Sequence, residues 1–260
     1  MHKPPRNLLK SIFKLNVRCM LLQSCWNFRV FQGLGSLWIL QPFQRDIHRS
    51  DINAVPSDRS NSTQQLKYFN TNTFCAPCVL AAQLALQERQ ARGEHVIIRA
   101  EDFPSAVMAP VAAVGDALFW GGLRPLAALI ATILALLGYF WAPIAVVLVF
   151  TLPTIIVRIG GSAAGFARGA QVVALIQQLH LADLAVKIKQ INIVLLGVVA
   201  ALAWRGLETE LVLGSNHTIV FAMAFILMFG ISMFLLRRRM PVVVLLGLTL
   251  IVFSAIGSAV

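Results

Sequence analysis

Four stretches of this chain carry no charged side chain: residues 125–157, 190–204, 218–236 and 240–260. Apolar runs of about 20 residues are long enough to cross a bilayer core. Inside lipid no water can satisfy the backbone, so such runs must pair their own N–H and C=O groups. The chain is therefore expected to be an all-α integral membrane protein. Composition agrees: 13% of the residues are charged, against about 25% in a soluble domain, and the deficit falls in these runs. The net charge of +11 does not point to nucleic acid. Its basic residues sit beside apolar spans, where they set topology and meet anionic lipid.

Charge also orients the spans. Arg237, Arg238 and Arg239 separate Thr218–Leu236 from Pro241–Val260, and three arginines in a short loop predict the cytoplasmic side. The last span then ends with Val260 at the outer face. Loop 205–217 is external, Gln190–Trp204 crosses the membrane, and the basic segment 158–189 lies inside. Residues 1–67, at net +7, also lie inside, so 103–157 must leave the cytoplasm and return. Pro125–Val157 is 33 residues, roughly 50 Å as one helix, too long for a core of about 30 Å. Gly138, Pro143 and Pro153 offer places to break it. Two helices or a tight hairpin near Gly138–Pro143 are expected, of the broken kind found at transport sites. About three clear transmembrane helices follow. The expected location is the inner (plasma) membrane, multi-pass, with the N-terminus cytoplasmic.

The chain divides into a cytoplasmic-side N-terminal region and linker, 1–66, and a membrane domain, 67–260. Lys3, Lys10, Lys14 and Arg18 share one helical face, with apolar residues from Leu8 to Leu21 filling the rest. This pattern predicts an amphipathic helix on the cytoplasmic leaflet; a basic tail folded against the protein is the alternative. No cleavage pattern follows a clean apolar core, so this segment is expected to be kept. Residues 49–65 are polar with Pro56 and read as a linker, and 79–90 form a short helix-like run.

Four local patterns stand out. They are Leu21–Phe28 (LLQSCWNF), Tyr68–Thr71 (YFNT), Pro110–Trp120 (PVAAVGDALFW) followed by Arg124-Pro125, and Arg158 with Gly165-Phe166 and Gly169. In this order and spacing they resemble the IID subunit of the mannose/fructose/sorbose family of sugar phosphotransferase systems. Arg29 stands where that family usually has an acidic residue, and Asn72-Thr73 where it usually has His-Pro or Gln-Pro. The resemblance implies a non-catalytic transport subunit, paired with a IIC membrane subunit to form a hexose or amino-hexose pathway. Soluble IIA and IIB proteins would carry the phosphoryl group, and no cofactor is expected.

Read as chemistry, Asp116 is the only acidic residue between Phe103 and Ala182. A carboxylate beside long apolar segments is costly to bury, hence paired or functional. Gly115 permits close backbone approach, and Trp120 lies one helical turn on. A carboxylate beside an aromatic ring suits a sugar; the bland reading is that Asp116 caps a helix or pairs with Arg124, and Trp120 sits in an interfacial belt. Asn70 and Thr71 offer hydrogen-bonding groups to a neutral hexose, or make turns and caps. Gln23 and Asn27, one helical turn apart, are read with Trp26 and Arg124 as helix or subunit packing.

Two rival readings remain: a divergent, non-transporting regulatory or interaction subunit, and a membrane redox protein using Cys75-Ala76-Pro77-Cys78. Zinc binding at that pair lacks further ligands, because Cys19 and Cys25 do not have matching spacing. The five histidines are scattered, and no nucleophile elbow or phosphate-binding glycine loop is present.

Overall fold

The computed structural model describes residues 8–50 and 66–212, with Met223, Ile226, Leu227 and Ile231 beyond them. The span read at 218–236 apart from those four residues, the span at 241–260, the arginines 237–239 and most of the linker lie outside the described residues; the segment read as loop 205–217 is described to Val212 and is helical that far, which corrects the expected loop there. Regular structure among the described residues is helical. We label α1 Leu8–Cys19, α2 Gly33–Ser50, α3 Ala76–Ala91, α4 Phe103–Leu118, α5 Arg124–Leu136, α6 Ala142–Val146, α7 Leu152–Arg168, α8 Val172–Gln178 and α9 Leu181–Val212. The chain divides into two units, Met1–Leu196 and Gly197–Val260. In the second, α9 continues to Val212 and exposes Val198 and Trp204.

The core of the first unit is built around α3. Its Ala- and Leu-rich sequence favours helix, and Pro77 sits in the first turn, where its missing N–H is an orphan position anyway. Residues Ala76 to Leu86 are buried except Gln83. Helix α7 packs against it through Gly161 and Gly165, which face Cys78, Ala81 and Ala82. Small residues on both helices let the backbones approach closely.

The apolar stretch 103–157 folds as a hairpin. α4, the turn Phe119–Leu123 and α5 run on as one 34-residue helical stretch, Phe103–Leu136, about 51 Å long. The helix then ends; Gly138 takes a positive φ of 83°, open to glycine without strain. Pro143 opens α6, which packs back against α5. The expected break near Gly138–Pro143 is therefore where the helices part. Two helical stretches, Phe103–Leu136 and Ala142–Trp204, are long and apolar enough to cross a membrane.

Two turns in these helices are π-helical, Phe119–Leu123 and Val147–Thr151. Each is followed by a proline at the second residue beyond it, Pro125 and Pro153. Proline cannot donate to the carbonyl four residues back, and its ring crowds that oxygen. Widening the preceding turn by one residue relieves the crowding without breaking the helix. So Pro153, expected as a possible break, instead widens a turn.

The N-terminal segment is helical, as the amphipathic pattern predicted, and α1 is folded against the protein, as the alternative reading expected. Ile12, Leu15, Asn16 and Cys19 are buried. Lys14 lies 4.8 Å over the Phe43 ring and 3.7 Å from Asp46, and Arg18 lies 3.6 Å over Trp38. Lys14 and Arg18 of the basic face thus meet α2, while Lys10, Leu9, Phe13 and Met20 are exposed. Arg158, read as the start of a cytoplasmic segment, lies within α7. It donates to the Asn16 carbonyl at 3.2 Å, and Asn16 Nδ2 donates to buried Ser162 Oγ at 2.8 Å. This polar joint explains a charge within an apolar helix: it faces protein, not lipid.

Segment 66–75 is tied back to the N-terminal motif. Gln32 N–H donates to the Phe69 carbonyl at 2.8 Å. The buried Gln32 carboxamide donates to the Thr71 carbonyl at 2.9 Å and accepts the Thr71 N–H at 3.0 Å. At the entry to α4, desolvation opposes ionisation of Asp102, yet hydrogen bonds and charge from Arg99 and Lys67 hold its carboxyl below the usual range.

Candidate functional site

The Gln32 clamp delivers the next residues, Asn72 and Phe74, to the face of α4. Asn72 Oδ1 accepts the Phe74 N–H at 2.9 Å, and the Asn72 carbonyl accepts from Cys75 and Ala76 at 3.0 and 2.8 Å. This is an Asx turn feeding α3. The same side chain donates Nδ2–H to Asp116 Oδ1 at 2.8 Å. Asn72 is buried and Asp116 exposed, so one carboxylate oxygen is fixed by the fold while the group meets the surface. Gly115 makes the contact possible: a Cβ there would stand 2.5 Å from Asn72 Cβ and 2.7 Å from its Cγ.

One turn above lies an aromatic cluster. The Phe74 ring is 4.7 Å from Phe119, 5.9 Å from Trp120 and 5.7 Å from Phe150. Phe119 is fully buried, whereas Trp120 is 44% exposed, so its indole presents a face outward. Arg124 stands 5.1 Å over that indole. Both π turns border this cluster, Phe119–Leu123 carrying Trp120 and Val147–Thr151 carrying Phe150. Widened turns leave carbonyls off the regular ladder, and Asn192 Nδ2 donates to the Gly122 carbonyl at 3.0 Å. A carboxylate, a fixed amide and a half-open indole together offer acceptors to hydroxyls and a flat apolar face.

The structure thus joins Asp116 and Trp120 through the loop bearing Asn72 and Phe74, two residues the sequence reading did not select. The signal that existed was a short polar run ending in an aromatic just before a helix. Asp116 is not paired with Arg124, and it sits near the C-terminal end of α4, so it caps no helix start. Thr71 is buried, and its Oγ1 donates to the Met108 carbonyl at 3.1 Å; its groups serve the fold. Asn70 is half-buried and makes no side-chain hydrogen bond among the described residues. Gln23 and Asn27 do not share a helix face, because α1 stops at Cys19. Gln23 is exposed, and Asn27 Oδ1 accepts the N–H groups of Arg29 and Val30, each at 3.0 Å. Trp26 packs 4.8 Å from Phe28 and 5.3 Å from Phe31.

Cys75 and Cys78 are both free thiols. Cys78 is buried under Gly161, and Cys75 Sγ lies against Gly115. Among the described residues no three His, Cys, Asp or Glu side chains gather to hold a metal.

Known proteins resemble this chain in sequence and in fold. The family model for the PTS system mannose/fructose/sorbose family IID component matches residues 9–260. The mannose-specific EIID component of Escherichia coli strain K12 is 31% identical over 158 residues, 60% of this chain and 55% of that one. The sorbose-specific EIID component of Klebsiella pneumoniae is 29% identical over 160 residues, 61% and 57% of the two chains. The chain therefore spans little more than half the length of the curated relatives it matches. A chain solved as "Structure of membrane protein" superposes with a TM-score of 0.69 at 22% identity, covering 98% of both. A chain of the cryoEM structure of the mannose transporter ManYZ with microcin E492 superposes at 0.55 and 23% identity, covering 99% and 98%. With a family model matching nearly its whole length, this chain belongs to the mannose/fructose/sorbose family of PTS IID components.

Proposed function

We propose that this chain is the IID membrane subunit of a sugar phosphotransferase transporter. With a IIC subunit it forms the pathway for a hexose or amino-hexose, and separate soluble IIA and IIB proteins carry the phosphoryl group. The observation that carries this reading is the family match over residues 9–260. The geometry supports it: Asp116 is held by Asn72 beside an outward indole, on helices long enough to span a bilayer. Large apolar side chains along α7 and α9, including Ile156, Ile193 and Val194, are exposed, as a lipid- or subunit-facing surface requires. Gly160 and Gly197 meet nothing within 4 Å, leaving room for another helix to approach. The test is co-expression with a IIC partner and the soluble carriers in cells lacking their own transporter. Labelled hexose uptake that requires this chain is expected; a stable complex whose uptake is unchanged without the chain would reject the reading.

The same reading fixes an orientation. Tyr139, Phe140 and Trp141 cluster at the tip of the α5–α6 hairpin, where Phe140 is 94% exposed, as in the aromatic belts of membrane interfaces. With residues 1–67 cytoplasmic, this tip faces outward. In a background lacking the four native cysteines, Phe140→Cys should react with an impermeant thiol reagent in intact cells. Reaction only after lysis would invert the hairpin.

A further inference from the structure

A second site is suggested by a cavity of about 220 Å³ between α2, α3, the start of α4 and residues 67–69. Its floor is apolar: Leu40, Phe69 and Ala100 are buried. Its walls are carboxamides. Gln83, Gln87 and Gln90 recur at spacings of four and three along α3 and so share a face, and Gln44 projects from α2. Gln83 interrupts a helix that is otherwise apolar from Ala76 to Leu86. Nothing in the fold demands an amide there.

These amides are not consumed by the protein. Gln44 Nε2 lies 3.5 Å from Gln87 Oε1, at the outer limit of a hydrogen bond, and Gln90 Oε1 accepts the Ala100 N–H at 3.0 Å. The Gln83 carboxamide and the amide nitrogens of Gln87 and Gln90 have no partner among the described residues. Among the described residues the one lining cation is occupied. Lys67 Nζ lies 3.2 Å from the Glu101 carbonyl oxygen and 3.4 Å from Asp102 Oδ1. Each carboxamide both donates and accepts, as does each hydroxyl of a ligand. An anion would meet several carbonyl oxygens and no free cation. A hydrocarbon would leave the amides unpaired, which is costly.

We propose that this cavity binds a neutral, hydroxyl-rich small molecule of monosaccharide size, at a site separate from the Asn72–Asp116 cluster. Tyr68 and Ser105 stand at its wall as further hydroxyl groups. The site lies in the part of the chain formed by α2 and the polar ends of α3 and α4, away from the α5–α6 hairpin.

The experiment is saturation-transfer NMR on membranes containing the full chain, with D-mannose and sorbitol as probes and inorganic phosphate as the anionic competitor. Membranes without the chain give the background. Chain-dependent transfer to the ring or polyol protons is expected. The Gln83→Met/Gln87→Met double variant keeps side-chain length but removes two amides, and should weaken binding roughly tenfold or more. Ser105→Phe, which narrows the cavity without touching the amides, should do the same and decides the matter if the double variant fails to accumulate. All arms are run in the Asp116→Asn background, so that ligand held at the Asn72–Asp116 cluster does not contribute to the signal. In that background, binding that survives both cavity variants or that phosphate displaces would overturn the proposal, as would no chain-dependent binding at all.

Discussion

Gly165→Leu should prevent the chain from accumulating in folded form, whereas Gly160→Leu should leave its level near normal. A Cβ at position 165 would lie 2.5 Å from the Cys78 carbonyl oxygen, 2.9 Å from Ala81 Cβ and 2.9 Å from the Ala82 nitrogen. Two of those atoms are α3 backbone and cannot rotate away, so α3 would have to leave α7. Overpacking a core costs about 1–3 kcal/mol where side chains can adjust, and more is expected against backbone. Helix propensity works in the opposite direction, since replacing glycine in a helix gains about 1 kcal/mol. Sterics win at 165. At 160 nothing lies within 4 Å, and only propensity operates. Size-exclusion chromatography of fluorescently tagged variants at matched expression reads the difference. Equal, normal peaks for the two would show that the α3–α7 contact is not what holds this unit together.

Asp116→Asn should lower hexose uptake about 10- to 100-fold while leaving the amount of assembled complex near normal. A carboxylate accepting sugar hydroxyls makes charge-assisted bonds of about 1.5–3 kcal/mol, and 1.4 kcal/mol is about a factor of ten. Asn72→Leu should act differently, lowering both yield and uptake. It removes the donor to Asp116 and the acceptor of the Phe74 N–H, leaving a buried group without a partner. Arg124→Gln should not rescue Asp116→Asn, because Arg124 lies over the Trp120 indole rather than beside the carboxylate. Paired measurements of complex yield and uptake separate these cases. Normal uptake by Asp116→Asn would leave that carboxylate as no more than a surface partner of Asn72.

What was legible in the sequence is what local chemistry dictates. The charge-free runs 125–157 and 190–204 fall in the hairpin and in α9, and Gly138 with Pro143 marked where the hairpin turns. Asp116 and Trp120 stood out because a lone carboxylate is rare in such surroundings. The contacts that assemble the site were not legible. Asn72 and Asp116 are 44 residues apart, and nothing near either announces the other. The helical spacing of Gln23 and Asn27 misled because α1 ends at Cys19, and an asparagine that binds its own next N–H groups favours a turn over a helix. The partner of Arg158 was not legible either: its guanidinium donates to the Asn16 carbonyl, 142 residues away, inside a packed joint.

The clamp between Gln32 and Thr71 makes everything between them an excursion that starts and finishes at one place. Its closure is set by two side-chain hydrogen bonds and the neighbouring backbone pairing, not by the length of chain it encloses. Entropy charges little for such length: each doubling of a flexible loop adds only about 0.6 kcal/mol. Helix α2 is held by its buried Ile39, Leu40 and Phe43, but chain length added or removed beyond it need not disturb the register in which Asn72 meets Asp116. Variation in length in this family should concentrate between α2 and Leu66, with the clamp as its fixed stem.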